Sequence, residues 1–143
     1  IGIIHFVNAD LIAAGLSPLK PAMANLYAGR VFLSELDGVA EAGADFAFES
    51  TLSGRAYVER IKRWKSRAYR IEIVYLRLDS PEIALKRIDS RVRQGGHDVP
   101  AADVRRRFVR SWRNFENVCR PLCDTWWLYD ATSYPPSFLE RHP

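Results

Sequence analysis

The amino-acid sequence predicts an α/β fold, a parallel-sheet three-layer sandwich formed by a single domain over residues 1–143. Three observations carry that prediction. Short apolar runs alternate along the chain with longer stretches whose apolar residues recur at helical spacing, the pattern of strand–helix–strand units. The first run, residues 3–8, is nearly continuous, as in parallel strands covered on both faces. The length and an apolar content of 48% suit one domain that buries roughly two thirds of its unfolded surface.

The elements follow in order. Residues 3–8, IIHFVN, read as the first strand, and Asp10 follows it where a favoured cap residue would start the LIAAG turn. Residues 18–43 form a long amphipathic helix with Met23, Leu26, Tyr27, Val31, Leu33, Leu36 and Val39 on its buried side, Pro21 in its first turn and Gly43 at its C-terminal cap. Residues 46–50, FAFES, are a second strand, followed by TLSGR and a basic helix over about 55–67. Residues 69–79 make the longest strand. The helix over 80–94 has Ser80 as N-cap, Pro81 at its first position, Glu82 in its first turn and Gly95–Gly96 as its stop. Another helix spans about 101–118, WWLYDA at 126–131 is the last strand, and a Pro-rich tail ends the chain.

Several classes are excluded at once. No run reaches the 18 or so apolar residues of a membrane span, and no signal-peptide pattern opens the chain, so the sequence reads as cytosolic. Cys119 and Cys123 sit four apart in a helical stretch, which suits two structural thiols on one face and supplies too few ligands for a metal site. The net charge of +4 hides a division: residues 1–54 carry two basic and six acidic side chains, whereas residues 86–113 carry nine and three. A basic middle segment names the sign of a ligand, whether nucleic acid or phosphorylated small molecule, and not the ligand itself.

Ligands of open parallel sheets bind beyond the carboxyl ends of the strands. Asp10 and Glu49 both follow strands directly, so both carboxylates are expected at one edge of the sheet, Glu49 beside Phe46 and Phe48 needing a partner to offset desolvation. Ser50, Thr51, Ser53 and Arg55 add hydroxyls and a cation at a helix start, a site for anions or sugar hydroxyls. On the 101–118 helix Val104, Phe108, Ser111, Trp112 and Phe115 make the core stripe, and Arg107, Arg110 and Asn114 fall on a neighbouring stripe, leaving Arg106 and Arg113 solvated. On the preceding helix Ala84, Ile88 and Val92 are the buried side, with Arg87 and Arg91 offset from it. Arg91, Arg93, Arg107 and Arg110 are thus the candidate phosphate ligands around a two-glycine loop. His97 in that loop has no adjacent nucleophile and is not read as catalytic.

Four stretches, FVNADLIAAGLSP, FAFESTLSG, RVRQGGHDVP and RRRF with SWRNF and LYD, resemble in that order the zeta toxin family of P-loop kinases, over about residues 5–131. The resemblance implies a fold of the P-loop nucleotide-kinase type and transfer of the ATP γ-phosphate, with Mg²⁺, to a hydroxyl of a UDP-N-acetylglucosamine-like substrate. It also implies an antitoxin protein as partner, and a small-molecule substrate in place of nucleic acid or membrane. It makes Asp10 the base that takes the hydroxyl proton. Asn8, Glu49, Ser50, Thr51 and Arg55 form the substrate side, and Arg93 with Arg106 or Arg107 the lid arginines. In such phosphoryl transfer an arginine is worth about 10³–10⁵ in rate.

One departure stands out. The family's G-x-x-x-x-G-K-[ST] loop does not occur in these 143 residues, so the strand and helix that flank it are also expected to be missing. That strand lies at the centre of the family's sheet, between the strands at 46–50 and 69–79. Its four or five large apolar side chains, at roughly 1.5–3 kcal/mol each, contribute on the order of 10 kcal/mol, as much as the whole stability of many domains. The chain is accordingly expected to be a fragment, inactive alone, or to close its sheet differently. A non-catalytic remnant that binds protein, or RNA through residues 55–113, is the competing reading. Trp112, Phe115, Trp126 and Trp127 oppose its RNA form, because they fall on core positions and not on an exposed stacking row.

Overall fold

A computed structural model of the chain describes residues 4–17, 21–96 and 98–143, without the side chains of residues 21–25. Met23 and His97 therefore lie outside the described side chains. The molecule is a mixed α/β protein with one parallel sheet and one mixed sheet. Its chain divides into two compact units, Ile1–Ser50 and Thr51–Pro143, each described by itself.

The first unit contains β1 (His5–Val7), α1 (Ala9–Leu16), α2 (Pro21–Glu41) and β2 (Phe46–Phe48). β1 and β2 pair in parallel, His5 opposite Phe46 and Val7 opposite Phe48. α2 packs along α1 and buries Ala28, Phe32, Leu36 and Ala40, one residue per turn. Phe32 meets Phe48 of β2 edge-on at 5.9 Å. The predicted stripe is thus corrected at Leu26 and Tyr27, which are 77% and 61% exposed. α2 carries more apolar residues than one face holds, and the alanines let it approach its neighbours closely. Gly43 ends the helix at φ +71°, with Ala44 N–H donating to the Val39 carbonyl at 3.3 Å and Gly43 N–H to that of Ala40 at 3.2 Å. That pair of bonds satisfies the last carbonyls, and the left-handed position suits glycine.

The second unit contains α3 (Ala56–Ser66), β3 (Glu72–Arg77), α4 (Pro81–Arg93), α5 (Ala101–Asn114), a π turn (Phe115–Cys119), α6 (Arg120–Leu122), β4 (Thr125–Asp130) and β5 (Ser137–His142). The strand order is β3-β4-β5, parallel between β3 and β4 and antiparallel between β4 and β5. The expectation of parallel strands alone is corrected by β5, which occupies the predicted tail. All six of its residues are exposed. Strand and core periodicity are therefore absent from its sequence.

The core of this unit is aromatic. Phe115 is 0% exposed and packs with Cys119, Cys123, Trp126 and Leu128, against Leu52, Ile71, Ile73, Tyr75 and Trp112. Tyr75 stacks on Phe115 at 4.3 Å, and Trp126 meets Phe115 edge-on at 5.9 Å. The Arg120 guanidinium lies 4.0 Å over Trp126 while it pairs with Glu116 and Glu140, which ties β5 to the helical layer. The α5 helix gives way to the π turn ahead of Pro121. Proline has no N–H to donate and its ring crowds the carbonyl four residues back, so a wider turn relieves the clash. On the other face of the sheet Val74 and Leu76 are exposed and, with Trp127, Tyr129 and Pro136, line an open groove. β3 alternates between a core face and an exposed one, whereas β1, the strand expected to be covered on both faces, is exposed at His5 and Phe6.

The parallel pair is fastened at its start by an ionic knot. Asp124 accepts from Ile71 N–H at 2.7 Å and from Lys65 Nζ at 2.9 Å, which hold its carboxyl below the usual carboxylate range. Both thiols are buried, and burial pushes Cys123 up to about 12 and Cys119 upward as well. Among the described residues no helix is long and apolar enough to cross a membrane.

Candidate functional site

The first group of candidate residues sits at the carboxyl ends of β1 and β2. Asn8 follows β1 in extended conformation and is the N-cap of α1, its side-chain oxygen accepting from Asp10 N–H at 2.9 Å and Leu11 N–H at 3.1 Å. The alternative reading of Asp10 as the cap of this helix is thereby corrected. An amide oxygen at the cap position reaches the second and third N–H groups, and Asp10 already lies inside the first turn. Its carboxylate is exposed and, among the described residues, has no hydrogen-bond or ion-pair partner.

Glu49 follows β2 at the same end of the parallel pair, since Val7 and Phe48 are register partners. It is exposed, as is Ser50. The expectation of a desolvated Glu49 is corrected as well: β2 is only half-buried, so water solvates the carboxylate that follows it.

The second group lies in the other unit. Thr51, Ser53 and Arg55 occupy a loop ahead of α3, with Arg55 at the N-cap position, where its side chain makes no cap hydrogen bond. Thr51 Oγ1 and Ser53 Oγ share a hydrogen bond of 2.9 Å, and Ser53 N–H approaches Thr51 Oγ1 at 3.5 Å. Leu52 between them has φ +53°. Its side chain packs on the aromatic core and its carbonyl accepts from Asn114 Nδ2 at 2.6 Å. That bond links residues 62 apart in sequence and docks the loop on α5.

Arg107 and Arg110 precede Asn114 on the same stripe of α5, and both are exposed without partners among the described residues. The α5 stripe therefore runs from free cations to the polar loop. Arg106 pairs with Asp103 at 2.7 Å, Arg105 with Glu82 and Arg93 with Asp89, all on exposed surface where such pairs hold weakly. Arg105 keeps the Glu82 carboxyl below its usual range. Arg91 is exposed with its side chain unpaired among the described residues.

The two glycines after Arg93 serve the end of α4. Gly95 has φ +87° and donates to the Val92 carbonyl at 2.9 Å, and Gly96 donates to that of Arg91 at 2.9 Å. A Cβ on Gly96 would come within 2.8 Å of the Arg91 carbonyl oxygen. Ser80 holds the predicted cap position of α4 without a cap hydrogen bond to the backbone, and Pro81 sets its first turn. Arg87 reaches the Ala131 and Thr132 carbonyls and is structural.

Asn8, Asp10, Glu49 and Ser50 thus belong to the first unit. Thr51, Arg55, Arg91, Arg93, Arg107 and Arg110 belong to the second, where Asn114 joins the loop to the arginine helix. Asn114 is the residue that sequence reasoning passed over: its place on the arginine stripe was visible, and its partner across 62 residues was not.

The zeta toxin family model matches residues 22–125, most of the chain. The chain belongs to the zeta toxin family. An uncharacterized protein of Haemophilus influenzae is 31% identical over 102 residues, covering 71% of this chain and 73% of that one. No solved structure matches. The family match takes in Glu49, Ser50, Thr51, Arg55 and the four candidate arginines of this zeta toxin relative, while Asn8 and Asp10 precede it. Family membership and the mixed α/β architecture agree with a P-loop-kinase-like fold and function.

Proposed function

We propose that this chain is the acceptor-binding and phosphate-clamping part of a zeta-toxin-type kinase that moves the γ-phosphate of ATP to a sugar hydroxyl of a UDP-N-acetylglucosamine-like substrate. The observation that carries the reading is the Asp10 carboxylate, relieved of capping by Asn8 and left exposed and, among the described residues, unpartnered at the end of β1. In this role Asp10 accepts the proton of the attacking hydroxyl while its oxygen bonds to phosphorus and the bond to the ADP oxygen breaks. On the acceptor side the reading gives roles to Asn8, Glu49 and Ser50 of the first unit and to Thr51 and Arg55 of the second.

Arg107 and Arg110, unpaired among the described residues, and Arg91 fit phosphate oxygens directly. Arg93 joins them by exchanging its exposed Asp89 partner, a small cost for a surface pair. These are side-chain ligands only, and the backbone cradle for ATP is not among these residues. Transfer by this reading requires that a G-x-x-x-x-G-K-[ST] loop act together with these residues. In this reading Mg²⁺ comes with the nucleotide, held mainly by phosphate oxygens and water. An antitoxin partner and a cytoplasmic site of action belong to the same reading.

The test is phosphorylation of UDP-N-acetylglucosamine by the full-length protein that contains this chain, followed by mass of the nucleotide sugar. Asp10→Asn is expected to abolish transfer and leave sugar binding intact; undiminished turnover would remove Asp10 from the chemistry.

A further inference from the structure

We infer that Asn114 is a positioning residue that fixes which face of the Thr51–Arg55 loop is presented to the acceptor, an inference that rests for its functional half on the kinase reading. Leu52 sits in the left-handed region, which a branched-chain residue adopts only when its surroundings hold it there. Its side chain packs on the core around Phe115, and its carbonyl accepts from Asn114 Nδ2 at 2.6 Å.

The consequence is geometric. The Leu52–Ser53 peptide is trans, so its C=O and the following N–H point in opposite directions. With the carbonyl directed at Asn114, the Ser53 N–H is directed away from α5, toward Thr51 Oγ1 at 3.5 Å, and Thr51 Oγ1 in turn bonds Ser53 Oγ at 2.9 Å. One face of the loop thereby carries an N–H donor and two hydroxyls, the set that suits sugar hydroxyls or phosphate oxygens. Rotating the peptide by half a turn would put a carbonyl on that face and repel an anion. Asn114 sits on the stripe of Arg107 and Arg110, so the same helix carries the arginines and sets the loop.

The test uses the full-length protein and two variants, Asn114→Asp, which keeps the shape and loses the donor, and Asn114→Ala. The first measurement, hydrogen exchange of the peptide spanning residues 51–55 by mass spectrometry, needs no catalysis. Exchange is expected to quicken about tenfold in both variants, the worth of one part-buried hydrogen bond, with α5 and the sheet unchanged. Unchanged exchange in the loop overturns the inference whatever the protein catalyses, and quickening throughout the unit overturns it in favour of general destabilisation. The second measurement is the split between KM and kcat with UDP-N-acetylglucosamine: KM should rise about tenfold for the same reason, with kcat within about twofold. A KM that does not move in an active variant with a loosened loop overturns the positioning role. Absence of transfer by the unsubstituted protein, with the exchange difference present, refutes the kinase reading and upholds the clamp.

Discussion

Phe115→Ala tests the platform on which the arginine helix stands. Phe115 is 0% exposed, stacks on Tyr75 at 4.3 Å, meets Trp126 at 5.9 Å and Trp112 at 5.8 Å. Burial of the ring alone is worth about 1.5–3 kcal/mol. The cavity adds to this because a π turn and two strands surround the site and can collapse only partly, which brings typical Phe→Ala losses to about 3–5 kcal/mol. Loss of close aromatic pairs, at about 0.5–1.5 kcal/mol each, places this site at the upper end, about 4–5 kcal/mol. At about 2–4 °C per kcal/mol for a chain near this size, Tm should fall by about 8–20 °C. Urea unfolding by tryptophan fluorescence reads the effect in the right place, since Trp64, Trp112, Trp126 and Trp127 all lie in the second unit. Val109→Ala on the same helix, at a site 56% exposed, is the control and should cost less than about 0.5 kcal/mol. A loss below about 1 kcal/mol for Phe115→Ala, or one equal to the control, would refute the assignment of the core.

Three further expectations follow from the same structure. Cys119 and Cys123 should resist alkylation at pH 8 in the folded protein and react fully in denaturant, because burial raises both thiols and Cys123 to about 12; rapid labelling of the native state would contradict their burial. The Asp124 carboxyl is lowered by Ile71 N–H and then by Lys65, so its stabilising contribution is complete above the ordinary aspartate value of about 4 and is lost as pH falls through the lower folded value. Asp124→Asn should therefore lower the midpoint at pH 7 slightly and flatten the acid limb of a stability–pH profile, an unaltered limb counting against the knot; the effect is small since Lys65 and Asp124 are 36% and 37% exposed. Asn114→Asp should loosen the 51–55 loop with the rest of the unit unchanged, as hydrogen exchange reads it.

Much of the second unit was legible because α5 has one apolar stripe and no competing one. Val104 and Phe115 are buried as their spacing requires, and Phe108, Ser111 and Trp112 are half-buried beside them. α2 was legible as a helix and misread as a surface, since its excess of apolar residues permits two faces and packing against α1 selects the one with Ala28 and Ala40. β5 escaped because an edge strand with every residue exposed leaves no periodicity to read. At the site, residue types pointed to Asp10, Glu49 and the arginines by strand-end position and helical stripe. The division of labour between Asn8 and Asp10 was not legible, because both are good caps and only backbone geometry decides between them. The Asn114–Leu52 bond, spanning 62 residues, depends on how the loop docks and has no local signature.

The most direct measurement of the central claim is transfer of labelled γ-phosphate from ATP to UDP-N-acetylglucosamine by the full-length protein, side by side with its Asp10→Asn variant. The account predicts a phosphorylated nucleotide sugar from the first and none above background from the second, with the two proteins equal in substrate affinity. Equal transfer by both would contradict the role of Asp10, and no transfer by either, with steep salt-dependent RNA binding instead, would favour the non-catalytic reading.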